Sequence, residues 1–273
     1  CVVTHEGLLR MFLSHYLGIQ QVHNAWTAMP PCPNGCLTVL RCEGDQVEFI
    51  RLFERGHLPV GLYLLRHGET DWNRERRVQG STDIPLNDLG RQQAQALARR
   101  LHGVPLTTLY TSPQVRALET ARIIGQVIGL EAQPEGRLQE MHWGRWEGLS
   151  GPELRARQPK LDEWYRQGVD FRRGETGETF AELRTRVGSA LRELVDRHRG
   201  ETIGLVVHGG VLRALLDNLP GLDNWRTRVD GRRFANASLT LAYWDDEESQ
   251  IAIYGDTTHL AQSETQNDTD NEG

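Results

Sequence analysis

Two histidines, two arginines and one carboxylate fall in four short stretches of this chain: "RHGET" with Arg66 and His67, "SPQVRALET" with Arg116, "LQEMHWGRWEG" with Glu140, and "VVHGG" with His208. Guanidinium groups can hold a small anion, while imidazole and carboxylate can react with what is held. Each residue alone has an ordinary reading. A histidine after a strand is commonly structural, Arg66 alone a surface charge, Glu140 alone a solvated loop residue. The set is another matter, because independent accidents would have to coincide at one edge of one sheet.

The elements that must position them alternate from residue 59 onward. "VGLYLLRHG" is a short apolar run that suits a buried parallel strand, and "DLGRQQAQALARRLHG" has the apolar spacing of a helix. "LTTLYTSP" reads as a second strand, followed by the helix "SPQVRALETARIIGQVIG", with Ser112 placed to cap it and Pro113 at its first position. The Gly- and charge-rich stretch from "GLSGPEL" to "RRGETGE" reads as an excursion with short helical pieces, and 143–164 is expected to hold substrate-facing residues. A long helix near "TFAELRTRVGSALRELVDRHRG", the strand "TIGLVVHG", the helix "GVLRALLDNLPG" and the strands "ASLTLAYWDD" and "SQIAIYGD" complete the order. This alternation predicts an α/β three-layer sandwich, a mostly parallel sheet with helices on both faces. In such folds chemistry collects at the carboxyl ends of the strands, where helix N-termini also point.

Composition narrows the classes. At 273 residues, 38% hydrophobic and 25% charged, the chain is an ordinary globular protein, and its net charge of -6 gives no footprint for nucleic acid or an anionic membrane. No apolar run reaches the roughly 18 to 20 residues of a membrane span, and the expectation is a cytoplasmic protein. The four cysteines, Cys1, Cys32, Cys36 and Cys42, lack zinc-site spacing and partner histidines, so no metal is expected. The segment 261–273, "AQSETQNDTDNEG", reads as a disordered acidic tail.

"LLRHGETDWN", "SPQVRALET", "LQEMHWGRWEG" and "VVHGG", in this order and spacing, closely resemble the histidine phosphatase superfamily, the phosphoglycerate mutase-like group. The resemblance implies a phosphoglycerate mutase-like fold over 59–260. It makes His67 the nucleophile, Arg66, Arg116 and His208 the phosphate pocket, and Glu140 the proton donor, and it puts Asn73, Gln79, Gly80 and Gly209 beside the substrate. It implies no cofactor and a small phosphorylated substrate, and leaves the oligomeric state open. Physical chemistry agrees: phosphoryl transfer asks mainly for positioning and dispersed positive charge, and neighbouring guanidinium groups should keep His67 neutral and able to attack. His208 is expected to be cationic with substrate bound, adding a third positive donor. The segment "GRWEGLSGPEL" after the acid is like the small phosphatase branch, so hydrolysis is favoured. A phosphoglycerate mutase, a phosphohistidine protein phosphatase and a noncatalytic phospholigand-binding module are the alternatives.

The chain also repeats itself. An offset of 203 residues pairs His5 with His208 and Arg10 with Arg213, and one of 202 pairs Asn34 with Asn236 and His57 with His259. Residues 1–58 thus resemble the last quarter of a second such domain, without its nucleophile, arginine and acid motifs. They read as a partial remnant of a tandem domain or, alternatively, as a native segment docked on the complete one.

Overall fold

The computed structural model describes residues 59–222, 225 and 234–261, together with the backbone of 38–43 and 46–52. His5, Arg10, Cys1, Cys32, Cys36, Asn34 and His57 lie outside the described residues, as do 262–273 of the acidic tail, whereas Ala261 is helical. The chain divides into two units, Cys1–Pro59 and Val60–Gly273.

In the first unit β1 (Thr38–Glu43) and β2 (Gln46–Leu52) form an antiparallel two-stranded sheet. Its pairs Val39↔Arg51, Leu40↔Phe49 and Arg41↔Glu48 enclose a register shift between Val39 and Leu40.

The second unit is built on a six-stranded sheet of order β5-β4-β6-β3-β7-β8. Its strands are β3 (Val60–Arg66), β4 (Thr108–Thr111), β5 (Ala132–Pro134), β6 (Thr202–Val207), β7 (Leu239–Trp244) and β8 (Gln250–Asp256). The first four run parallel, and β7 and β8 add an antiparallel hairpin on β3. Side chains alternate along the pleat, so the two faces have separate cores. Leu62, Leu64, Ile203 and Leu205 pack with Leu191, Leu194 and Leu215 from α6 (Phe180–Arg197) and α7 (Gly209–Leu216). Leu65, Leu109 and Val206 pack with Leu97, Leu101 and Ile124 from α2 (Asp88–Leu101) and α3 (Val115–Ile128). The three-layer α/β sandwich expected from the alternation is therefore the observed fold. The structure adds β5 and a one-turn helix, α1 (Asp71–Arg74), to the expected elements.

The hairpin β7–β8 pairs Leu241↔Ile253, Ala242↔Ile251 and Tyr243↔Gln250, with a register shift between Leu241 and Ala242. Moved by the 202 residues of the sequence repeat, these are the same pairs and the same shift as in β1–β2.

The excursion folds as α4 (Gly151–Arg157) and α5 (Leu161–Gln167) over a small core of Trp146, Leu154, Leu161 and Phe171. A capping box of Ser150 and Glu153 starts α4, and one of Thr179 and Glu182 starts α6 where the excursion ends. Among the described residues no helix is long and apolar enough to cross a membrane.

Candidate active site

Three parallel neighbours end side by side. β3 runs into His67, β6 into His208 and β4 into Ser112, and backbone bonds from His67 N to Val207 O (3.0 Å) and from Ser112 N to Val206 O (3.0 Å) keep the three ends level. His67 and His208 bring their ring centroids to 5.1 Å. Both are buried, and so is Arg116.

The protonation of His67 follows from its partner. Its Nδ1 lies 2.7 Å from the carbonyl oxygen of Gly68, which can only accept, so Nδ1 carries the proton and Nε2 keeps its lone pair. Burial, then the charges of Arg116 and Arg66, hold this imidazole well below the usual histidine value. The loop bearing it is pressed on α2 by contacts that only glycine permits. A Cβ on Gly68 would lie 2.3 Å from Gly90 O, and one on Gly90 would lie 2.0 Å from Glu69 O. Asn236 Nδ2 bonds the carbonyls of His67 and Gly68, both at 3.2 Å, and tightens the loop from the other side.

Arg116 is held on three sides. Its Nη1 and Nη2 donate to the carbonyls of Thr82 (2.9 Å) and Gly80 (2.8 Å), and its Nε donates to His208 Nδ1 (3.2 Å), leaving one hydrogen on each terminal nitrogen. His208 therefore accepts on Nδ1 and turns Nε2 to Ser112 Oγ at 2.8 Å. Burial and Arg116 depress it well below its ordinary value, so it is neutral here and orients Arg116. The positive charge expected of it belongs to the substrate-bound state; in the free site the Arg116 guanidinium occupies the Nδ1 side. The helix starts later than expected: α3 begins at Val115, whose N–H is met by Asp83 Oδ1 at 2.7 Å, with Gln114 as the N-cap, while Ser112 Oγ accepts the Gln114 N–H at 3.3 Å.

Arg66 donates from Nη1 to Phe234 O at 2.6 Å, while its buried Nε has no partner. Burial pushes its pKa down to about 10, against the pull of Glu140. Glu140 accepts from Met141 N at 2.8 Å and from Gly210 N at 3.0 Å, in the first turn of α7. A Cβ on Gly210 would stand 2.3 Å from Glu140 Oε1, so the acid occupies this place only beside a glycine. Arg66, Glu140, Gly209 and Gly210 line a cleft of about 800 Å³ whose opposite wall is the excursion. Of the expected substrate-facing stretch, Trp143, Gly151, Leu154, Arg155, Leu161 and Asp162 line it, whereas Trp146 and Trp164 stack on Phe171.

The remaining expected residues are near but differently occupied. Asn73 Oδ1 accepts from Thr70 N (3.3 Å), Thr70 Oγ1 (3.1 Å) and Asn236 Nδ2 (3.0 Å), so only its Nδ2 is available to a ligand. Gln79 is buried with Oε1 unpartnered, and the Gly80 carbonyl serves Arg116 and Gln114. Gly209 faces Arg66 Nε, to which an added Cβ would come within 3.8 Å.

Two positions that motif reading passed over tie the site together. Gln114 donates from Nε2 to Gly80 O (3.1 Å) and accepts from Glu140 N (2.7 Å), linking the loop that holds Arg116 to the acid. Glu147 gathers Ser81 N (2.8 Å), Thr82 N (3.0 Å) and Trp143 N (3.0 Å). Both lay inside motifs already singled out, "SPQVRALET" and "LQEMHWGRWEG". Among the described residues, no group of three or more His, Cys, Asp or Glu side chains is arranged to hold a metal ion.

Comparison with known proteins gives the chain its family. A model of the histidine phosphatase superfamily (branch 1) matches residues 62–257. Phosphoglycerate mutase-like protein 4 of Arabidopsis thaliana is 36% identical over 211 residues, which cover 74% of this chain and 87% of that protein. The structure of mycobacterial glucosyl-3-phosphoglycerate phosphatase complexed with VO3 is similar with a TM-score of 0.63 at 30% identity, covering 72% of this chain and 99% of that one. Phosphoserine phosphatase from Entamoeba histolytica in complex with 3-phosphoglyceric acid gives a TM-score of 0.64 at 29% identity, over 74% and 99% of the two chains. The chain belongs to the histidine phosphatase superfamily, branch 1, and its enzyme class is phosphatase.

Proposed function

We propose that the protein hydrolyses small phosphomonoesters in two steps through a phosphohistidine at His67, without a metal ion. The observation that carries this reading is a neutral, buried His67 with its Nε2 lone pair free, beside the unpartnered Nε of Arg66. Nε2 attacks phosphorus, the P–O bond to the alcohol breaks, and Glu140 gives its proton to the departing oxygen. The charge on the equatorial oxygens is met by Arg66 Nε and the remaining hydrogens of Arg116, with Asn73 Nδ2 as a further donor. Water then attacks the phosphohistidine while the Glu140 carboxylate takes its proton, the P–N bond breaks, and inorganic phosphate leaves. Splitting one displacement into two, with charge already oriented, is what the geometry supplies. Turnover of p-nitrophenyl phosphate in EDTA, with rapid-quench trapping of an acid-labile, base-stable phosphate on His67, tests it. No turnover, or a phosphate elsewhere, overturns it.

A mutase is the second reading, favoured by the name of the Arabidopsis relative. Conversion of 3-phosphoglycerate that needs a bisphosphoglycerate primer and releases no phosphate would establish it.

We also propose that residues 1–58 are a second copy of the domain's last quarter. The shared pairing and register shift of β1–β2 and β7–β8 support this, since a one-residue bulge is a specific local feature. Lacking a nucleophile and an acid, this copy does no chemistry, and its deletion should leave the rate per folded molecule unchanged. A folded but inactive shortened protein overturns that view.

A further inference from the structure

Ala237 is held in a conformation that alanine avoids. It precedes β7 with φ +53°, in the left-handed region where a Cβ crowds the following carbonyl. Such strain persists only where the surroundings over-determine it. Asn236, Ala237 and Ser238 together hold the loop that bears His67. Asn236 Nδ2 donates to the carbonyls of His67 and Gly68, both at 3.2 Å, the Ala237 N–H donates to His67 O at 3.1 Å, and Ser238 O accepts from Arg66 N at 3.0 Å. The Gly68 carbonyl is also the acceptor that puts the His67 proton on Nδ1.

On its other side the Ala237 carbonyl accepts from His259 Nε2 at 3.0 Å. Ala237 is fully buried, so solvent is no substitute for that donor. His259 belongs to the helical turn 258–261 after β8. Asp256 Oδ1 accepts from Thr258 N at 2.9 Å, and Leu260 packs on the core of Leu239 and Leu241, which anchors the turn. The His259 ring is buried, yet its Nδ1 has no partner. An orphaned ring nitrogen is a cost that an apolar side chain would avoid, so what the ring contributes is the bond from Nε2.

We propose that His259 is a positioning residue for His67: by fixing the left-handed Ala237 it holds Asn236 on the Gly68 carbonyl, and so keeps the His67 proton on Nδ1 and Nε2 free to attack phosphorus. This deepens the hydrolase reading and rests on it for the role of Nε2. The chain after Ala237 is locked into β7, so relaxation of its strain displaces Asn236. The tautomer of an imidazole is set by the bond its other nitrogen makes, and here that bond ends on a carbonyl that Asn236 steadies.

Long-range 1H–15N NMR of the His67 ring in the whole protein, with kcat and KM on p-nitrophenyl phosphate, tests it. Wild type should show a protonated Nδ1 and a bare Nε2. His259→Leu, which keeps bulk and removes the donor, should mix the two tautomers and lower kcat about ten- to a hundredfold, with KM within about twofold. His259→Gln, whose amide can donate from the place of Nε2, should keep kcat within about threefold of wild type. His259→Asn, whose shorter amide falls short of Ala237 O, should behave as His259→Leu does, and the Gln–Asn contrast decides if the leucine variant does not fold. Ala237→Gly in the His259→Leu background should recover part of the loss, because glycine takes a positive φ without a donor to hold it there. Packing cannot explain that rescue, since it removes a buried methyl group. A lower melting temperature in His259→Leu with the His67 tautomer unchanged, or equal kcat in the Gln and Asn variants, overturns the positioning role. If wild type turns over no phosphomonoester, the hydrolase reading falls, and the tautomer response of His67 alone decides whether His259 governs this ring.

Discussion

The buried group around His67 and the open cleft beside it handle charge in opposite ways. At the buried end His67, Arg116 and His208 are buried to 3%, 1% and 0% exposure, and nearly every polar atom is fixed by a neighbouring carbonyl or ring nitrogen. Along the cleft Arg155, Asp162, Tyr165, Arg166 and Arg213 are exposed on short helices and the flank of α7. The first end is a pre-set electrostatic mould, where desolvation strengthens each interaction. The second is a wall of long side chains that can rearrange around different alcohols. Chemistry common to many substrates needs rigidity, whereas choice among them can be left to residues whose replacement does not disturb the sheet.

Substitutions should therefore fall off in effect from one end to the other. His67→Ala should cost at least about 10⁴-fold in kcat, as for other removed nucleophiles, with the fold intact by thermal melting. Residual turnover within tenfold of wild type would break the assignment. Glu140→Gln should cost about 10²- to 10⁴-fold on alkyl phosphates and far less on p-nitrophenyl phosphate, whose leaving group needs little protonation. Equal losses would mean that Glu140 positions groups and donates no proton. Gly210→Ala should reproduce that leaving-group pattern at about 10²-fold, because its Cβ must move Glu140 Oε1 from 2.3 Å. Breaking the exposed Arg155–Asp162 pair with Arg155→Ala should change stability by less than about 1 kcal/mol. A larger change in urea melting would show the outer wall to be as rigid as the inner one.

Acid should distinguish the two ends as well. His67 and His208 are depressed by burial, so the unfolded chain binds protons that the folded one refuses. Stability is then complete above the unfolded value of about 6.5 and declines as pH falls below it, by up to about 1.4 kcal/mol per pH unit for each histidine, until the folded value is reached. In His67→Asn the slope of melting free energy against pH should be shallower below 6.5. An unchanged slope would place the acid sensitivity outside the phosphate end.

The same contrast explains what could be read from the sequence. The strand, loop and helix segments around Arg66, Arg116, Glu140 and His208 are local patterns, and the order of layers follows from alternating periods. Gln114, Glu147 and Asn236 gain their roles from bonds to residues 26, 66 and 169 positions away, which no local pattern announces. Ser112 read as the helix cap, and its Oγ does accept the Gln114 N–H at 3.3 Å, but it also meets His208 Nε2 from a neighbouring strand at 2.8 Å, which no local pattern shows. The tautomer of His208 in the free site is equally hidden, since it depends on which nitrogen Arg116 reaches. In the excursion, aromatic and arginine residues are compatible with packing or binding alike, and only the folded chain sorts Trp164 from Arg155.

The paired glycines under His67 have a consequence for motion. With Gly68 and Gly90 in backbone contact, the loop that bears His67 has no slack in which to swing independently of α2. Its amides should exchange with solvent only when the fourteen-residue helix beneath them also opens, in one cooperative event. Thermal jitter of the His67 ring is thus set by the stiffness of a whole layer of the protein, whereas the excursion rests on a small core of its own.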